Sequence, residues 1–101
     1  MGVDIGATQM RAGRVANEKV SLMFSEKTPS DGDYDQVLKT LLQLMEKLFN
    51  YDTMAIGLGV PSVVDTKNGM IYDVINIPSW KEVPLKSILE QARLRFRRNY
   101  I

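Results

Sequence analysis

Apolar and polar positions change rhythm several times along this chain, and each change marks an element. Residues 2–5 form a short apolar run that reads as a buried strand. Residues 9–15 then alternate, with Met10, Ala12 and Arg14 on one face and Arg11, Gly13 and Val15 on the other. That two-residue period predicts a second strand. Ala16-Asn17-Glu18-Lys19 reads as a turn, because Asn17 tolerates left-handed backbone. Residues 20–26 give a third strand and complete an N-terminal meander. Thr28-Pro29-Ser30-Asp31-Gly32-Asp33 then breaks the pattern. After it, Tyr34, Val37, Leu38, Leu41, Leu42, Met45, Leu48 and Phe49 recur at helical spacing and predict an amphipathic helix packed on a sheet. Asp33 with Gln36 makes a capping box with Asp in place of Ser or Thr, and Asn50 suits the helix stop.

Residues 53–60 are apolar without alternation, which predicts a strand covered on both faces. Pro61-Ser62 ends it. Thr66-Lys67-Asn68-Gly69 is a hairpin turn in which Asn68 and Gly69 both take positive φ, and residues 70–75 form the return strand. Asp65 serves this hairpin rather than a metal. Asn76-Ile77-Pro78-Ser79-Trp80 is an irregular loop, with Trp80 as a lid over the core. Pro84 at the first helical position opens a second helix with its stripe at Leu85, Ile88, Leu89 and Ala92, continued by Phe96. Strand, strand, strand, helix, strand, small hairpin and helix describe an α/β domain with a mixed sheet. A doubly wound domain would alternate from the start.

Composition narrows the chemistry. The 101 residues are 45% hydrophobic, enough for one small core. There is no Cys and no His, which excludes disulfides, thiol and imidazole metal sites and a Ser-His-Asp triad. With no apolar run near the length of a membrane span, the expectation is a cytoplasmic protein with no membrane partner. The net charge of +1 argues against a nucleic-acid partner. The charge is uneven: residues 86–101 carry +4 and residues 1–85 carry −3.

Candidate chemistry concentrates at Gly2-Val3-Asp4-Ile5-Gly6-Ala7-Thr8-Gln9, an apolar strand running into Asp-x-Gly-x-Thr. Such a turn can hold phosphates. Gly6 lets backbone amides approach an anion, Thr8 offers a hydroxyl donor, and Asp4 at the strand end could orient Mg²⁺ or its waters.

These residues resemble a known family. Asp4-Ile5-Gly6-Ala7-Thr8, the order of elements, and Gly57-Leu58-Gly59-Val60-Pro61-Ser62-Val63-Val64-Asp65 are similar to the N-terminal domain of the ROK family of bacterial sugar kinases and sugar-responsive repressors. The stretch from Asn68 to Trp80 is similar to the family's hairpin and its Asn-Leu-Pro-x-Trp loop, and Val83-Pro84-Leu85 fits the helix that follows. The resemblance covers roughly residues 2–91. Asp-x-Gly-x-Thr is common to actin-like ATPase-fold proteins, whereas residues 61–80 point to this family.

The resemblance implies a truncated actin-like (ribonuclease H-like) ATPase domain. It implies the N-terminal part of a kinase that transfers a phosphoryl group from ATP, with Mg²⁺, to a hexose hydroxyl. Asp4, Gly6, Thr8 and Gln9 would lie in the first phosphate loop. Ala7 and Gln9 depart from the family's frequent Gly and Lys there, and the missing cation weakens nucleotide binding. Ser62 stands where the family has Gly beside the sugar, and Asn76 matches an asparagine whose amide reaches a sugar hydroxyl. The family's catalytic Asp, from an Asn-Asp pair on a later strand, has no counterpart here, nor do the second phosphate loop, the sugar-binding Glu and His or the zinc-binding cysteines. No catalytic residue is assigned, and the chain is expected to be inactive alone. Two alternatives are a sugar-sensing regulator of the same family and a structural module reusing the fold. Residues 1–91 would be the partial family domain and residues 92–101 a basic tail foreign to it. Loss of the later strand would leave residues 53–60 as an apolar edge, so self-association is expected through that edge or a swapped C-terminal helix. A fold-back of residues 93–101 as a substitute strand ranks below extension of the helix.

Overall fold

The computed structural model describes residues 1–98. Strands β1 (Gly2–Ile5), β2 (Gln9–Ala16) and β3 (Lys19–Lys27) form the expected antiparallel meander. Strand β4 (Gly57–Gly59) joins beside β1 in parallel, giving the order β3-β2-β1-β4. The β2–β3 turn needs two left-handed residues, Asn17 at φ 52° and Glu18 at φ 64°. Two consecutive positive φ values match the right-handed twist of the flanking strands.

Helix α1 (Tyr34–Leu48) begins in the expected capping box. The Asp33 carboxylate accepts from Gln36 N–H at 2.8 Å, and the Gln36 side chain accepts from Asp33 N–H at 2.9 Å. Phe49 rather than Asn50 closes the helix, with its amide donating to the Met45 carbonyl. Arg14 Nε donates to the Leu48 carbonyl at 2.8 Å and satisfies another helix-end acceptor. The buried side is Val37, Leu41, Leu44, Met45 and Leu48, against Val3, Ile5, Met10 and Ala12 of the sheet. The stripe therefore sits slightly rotated from the expected one: Leu44 is fully buried, while Leu38 and Leu42 lie at the core margin.

A second small sheet holds β5 (Val63–Asp65), β6 (Met70–Tyr72) and β7 (Glu82–Val83) in that order. The two-residue β7 was too short to register in the pattern. The expected return strand stops at Tyr72, because Asp73 turns left-handed at φ 48°. In the hairpin turn only Gly69 has positive φ, at 68°. Asn68 instead donates its side-chain amide to Asp65 at 2.8 Å, and the Lys67 and Asn68 amides also donate to that carboxylate. These bonds hold the Asp65 carboxyl below its usual value.

Helix α2 (Leu85–Arg98) starts one residue later than expected; the Pro84 carbonyl accepts from Ile88 N–H. Leu85, Leu89, Ala92 and Phe96 are its buried face, and the Phe96 ring lies 5.5 Å from that of Phe49. The helix thus continues through residues 93–98 and returns to its own chain. Residues 99–101 of the expected tail lie outside the described residues. Trp80 is fully buried, with Nε1 donating to the Tyr34 carbonyl at 3.3 Å.

The expected strand at residues 53–60 is the largest difference. Only Gly57–Gly59 pair, against Gly2–Asp4 of β1. Gly57 and Gly59 are exposed and Leu58 is half-buried. Val3 is the register partner of Leu58, and α2 lies on that face. The opposite face carries Gly2, Asp4, Arg11, Gly13 and Gly59, with no described helix over it.

Candidate functional site

β1 and β4 run parallel, with Asp4 opposite Gly59. Both chains leave the sheet at the same end, where α/β sheets place their ligands. The β1–β2 turn (residues 6–9) exits there from β1, and the Pro61-Ser62 segment exits beside it from β4.

The turn is tight. Gly6 N–H donates to the Gln9 carbonyl at 3.0 Å. A Cβ on Gly6 would lie 2.8 Å from that same oxygen, so only glycine fits. Thr8 and Gln9 are exposed, and Gly6 and Ala7 are half-buried. Asp4 is exposed on the glycine face of β1, between Arg11 and Gly59. The four expected phosphate-site residues therefore lie within six positions at one end of the sheet.

The two expected sugar-site residues also come together. The Pro61 carbonyl accepts from Ile75 N–H at 3.0 Å, placing Ser62 and Asn76 one residue beyond each partner. Asn76 is exposed and left-handed at φ 61°. Its loop is closed by Val74 N–H donating to the Trp80 carbonyl and Trp80 N–H donating to the Ile77 carbonyl, both at 3.0 Å. Residues held at positive φ without being glycine gather where a site needs a particular backbone shape. Ser62 Oγ and Ser79 Oγ are buried and find no protein partner among the described residues. No hydrogen bond among the described residues joins the turn at residues 6–9 to Ser62 or Asn76.

Pattern reading passed over Thr28. It is the one polar residue buried as a whole among the described residues, at 3% exposure. Its hydroxyl donates to the Gly6 carbonyl at 2.6 Å, and its amide donates to the Thr8 carbonyl at 3.0 Å. The available signal was its position: a hydroxyl residue directly after the strand that pairs with β2, before Pro29.

A cleft of about 550 Å³ opens elsewhere, between β4 and α2. Ile56, Leu58, Val60, Leu85 and Leu89 make it mostly aliphatic, and it contains none of the expected site residues.

Comparison with known proteins adds the following. The model of the ROK family matches residues 1–96. The chain is 34% identical over 96 residues to an N-acetyl-D-glucosamine kinase of Vibrio cholerae, covering 88% of this chain and 30% of that protein. It is 28% identical over 91 residues to a glucokinase of Streptomyces coelicolor, covering 89% of this chain and 28% of that one. Among solved structures, it superimposes with a TM-score of 0.77 and 30% identity on a ROK family glucokinase from Streptomyces griseus in complex with glucose and AMPPNP. That match covers 89% of this chain and 28% of the other. The chain spans about 30% of the length of the curated relatives it matches.

Proposed function

This chain belongs to the ROK family, and we propose that it is the N-terminal, phosphate-facing and sugar-facing part of a sugar kinase that moves a phosphoryl group from ATP to a hexose hydroxyl. Its fold is that of the actin-like ATPases, mixed α/β with a mixed sheet. The observation that carries the reading is the shared exit of two loops, residues 6–9 and 61–62, from the same end of the parallel strands β1 and β4.

In this reading Gly6 admits the nucleotide phosphates to the backbone of the turn, and the exposed Thr8 hydroxyl and Gln9 amide donate to them. No three acidic side chains gather among the described residues. A Mg²⁺ ion would therefore rest on Asp4 and on the phosphates themselves, a donor set that suits Mg²⁺. The ion would supply charge neutralisation at the phosphates. Ser62 and Asn76 hold the hexose, Asn76 through an amide that both donates and accepts. A hydroxyl nucleophile also needs a general base, and the 101 residues contain no Asn-Asp pair to supply the one the family uses. The chain alone therefore binds without turnover, in the cytoplasm. The unpaired outer edge of β4 extends the reading to a second copy, by edge pairing of residues 53–60 or exchange of α2.

Titration of the ¹⁵N-labelled chain tests this. ATP·Mg²⁺ shifts the amides of residues 4–9 and a hexose shifts those around Ser62 and Asn76, each with a Kd of about 1 mM or weaker, near −4 kcal/mol. ADP release with glucose stays at background. ATP shifts that avoid residues 4–9 contradict the site. Hexose binding without ATP binding favours a sugar-sensing regulator of the same family, and binding of neither favours a structural module.

A further inference from the structure

We propose that Thr28 is a positioning residue for the phosphate turn, acting as a two-point clamp that aims the turn's amides at the anion; this rests on reading residues 6–9 as the phosphate site. In a planar trans peptide, a carbonyl and the amide N–H that follows it point in opposite directions. Thr28 Oγ1 takes the Gly6 carbonyl at 2.6 Å, so the Ala7 N–H is directed away from Thr28. Thr28 N–H takes the Thr8 carbonyl at 3.0 Å, so the Gln9 N–H is directed away as well. The Gln9 carbonyl is occupied by Gly6 N–H, so three of the four carbonyls of residues 6–9 have donors. Carbonyl oxygens repel an anion and amides attract it.

With the Gly6, Thr8 and Gln9 oxygens engaged inside the protein, the Ala7 and Gln9 amides are left for the anion. Among the described residues no carbonyl accepts from the Ala7 or Thr8 amide. The clamp is itself fixed: Thr28 is 3% exposed, its amide is committed to Thr8, and Ser30 N–H donates to the Thr28 carbonyl at 2.9 Å. A hydroxyl residue serves there because the Gly6 carbonyl would otherwise be a partly buried acceptor without a donor, or would rotate outward and place its oxygen among the phosphates.

Two variants of the chain separate this role from simple packing. Thr28→Val keeps the branched shape and the backbone amide and removes the hydroxyl. Thr28→Ser keeps both donors and removes a methyl group. With ATP·Mg²⁺ as the probe and the Ala7 and Gln9 amide shifts as the readout, Thr28→Val weakens binding by roughly tenfold, the order expected for one lost hydrogen bond. Thr28→Ser binds within about twofold of the parent, since the lost methyl group does not touch the bond. Thr28→Ala repeats the measurement if Thr28→Val lacks the parent's helical circular dichroism. Equal binding by the parent and by the hydroxyl-free variants overturns the clamp alone. So does a Thr28→Ser variant as weak as Thr28→Val. A parent chain whose residues 6–9 do not respond to ATP·Mg²⁺ overturns the phosphate site itself, and the clamp with it.

Discussion

Single residues in this chain are constrained mostly by what their backbone must do. Gly69 is the sharpest case. It sits at φ 68°, its carbonyl accepts from Lys86 N–H at 3.1 Å, and an added Cβ would run into the Lys86 side chain. The hairpin and the start of α2 therefore meet at a point with no room. Gly69→Ala is expected to destabilise the chain by about 2–4 kcal/mol, combining left-handed strain with overpacking. Urea unfolding measures it, and a loss under 1 kcal/mol would contradict the steric argument.

Asn-Gly announced the turn, but the sequence could not reveal that Asn68 spends its side chain on Asp65 while Gly69 alone takes the unusual φ. Tyr34 gives a pH prediction. Burial, followed by the nearby Asp35 charge, pushes its phenol above the ordinary value. The neutral ring is the form the fold favours, so its contribution is complete below the unfolded pKa near 10 and is lost as pH rises through the higher folded value. The melting temperature should fall more steeply above about pH 10 in the parent than in Tyr34→Phe.

Among the elements, helix α1 was readable nearly to its ends, whereas β4 was readable as a strand but not in its extent, and the reason is the same in both cases. A helix carries its own signals: the capping box at Asp33 and Gln36 formed as its spacing required. Asp33→Ala should cost about 1 kcal/mol, the usual value for a lost N-cap. The phase of the buried stripe was less certain, because a helical wheel tolerates small rotations. Leu44 proved fully buried and Leu42 marginal. Leu44→Ala is therefore expected to cost about 2–5 kcal/mol and Leu42→Ala clearly less. Equal losses would show that the helix packs with the phase first expected.

Residues 53–60 held an apolar run but no information about their neighbours. Only three residues pair with β1, and solvent reaches Gly57 and Gly59. The β1–β2 turn was legible because Gly6 and Thr8 lie two positions apart in sequence. Thr28 was hidden, because the Gly6 carbonyl it holds is 22 residues away and its own surroundings read as a loop.

At the scale of the molecule, both helices lie on one side of the larger sheet, and protection should follow that asymmetry. Val3, Ile5, Met10 and Ala12 are buried beneath α1, and β1 and β2 each have partners on both edges. β3 and β4 are the outer strands. Val20 and Met23 on β3 are more than half exposed, and Met54, just before β4, is 87% exposed. Local opening is cheapest where few apolar groups are buried and one backbone edge meets water. Amide exchange is therefore expected to be slowest in β1, β2 and the centre of α1, and fast throughout residues 53–60. The small sheet should fall between them, since Ile71 and Val83 are buried but its strands are two or three residues long. Measuring exchange at two concentrations gives the ranking a second use. Protection of residues 57–59 that equals β1 at every concentration would contradict the open edge. Protection that grows with concentration would mean that another copy pairs with it, the outcome an unblocked edge invites.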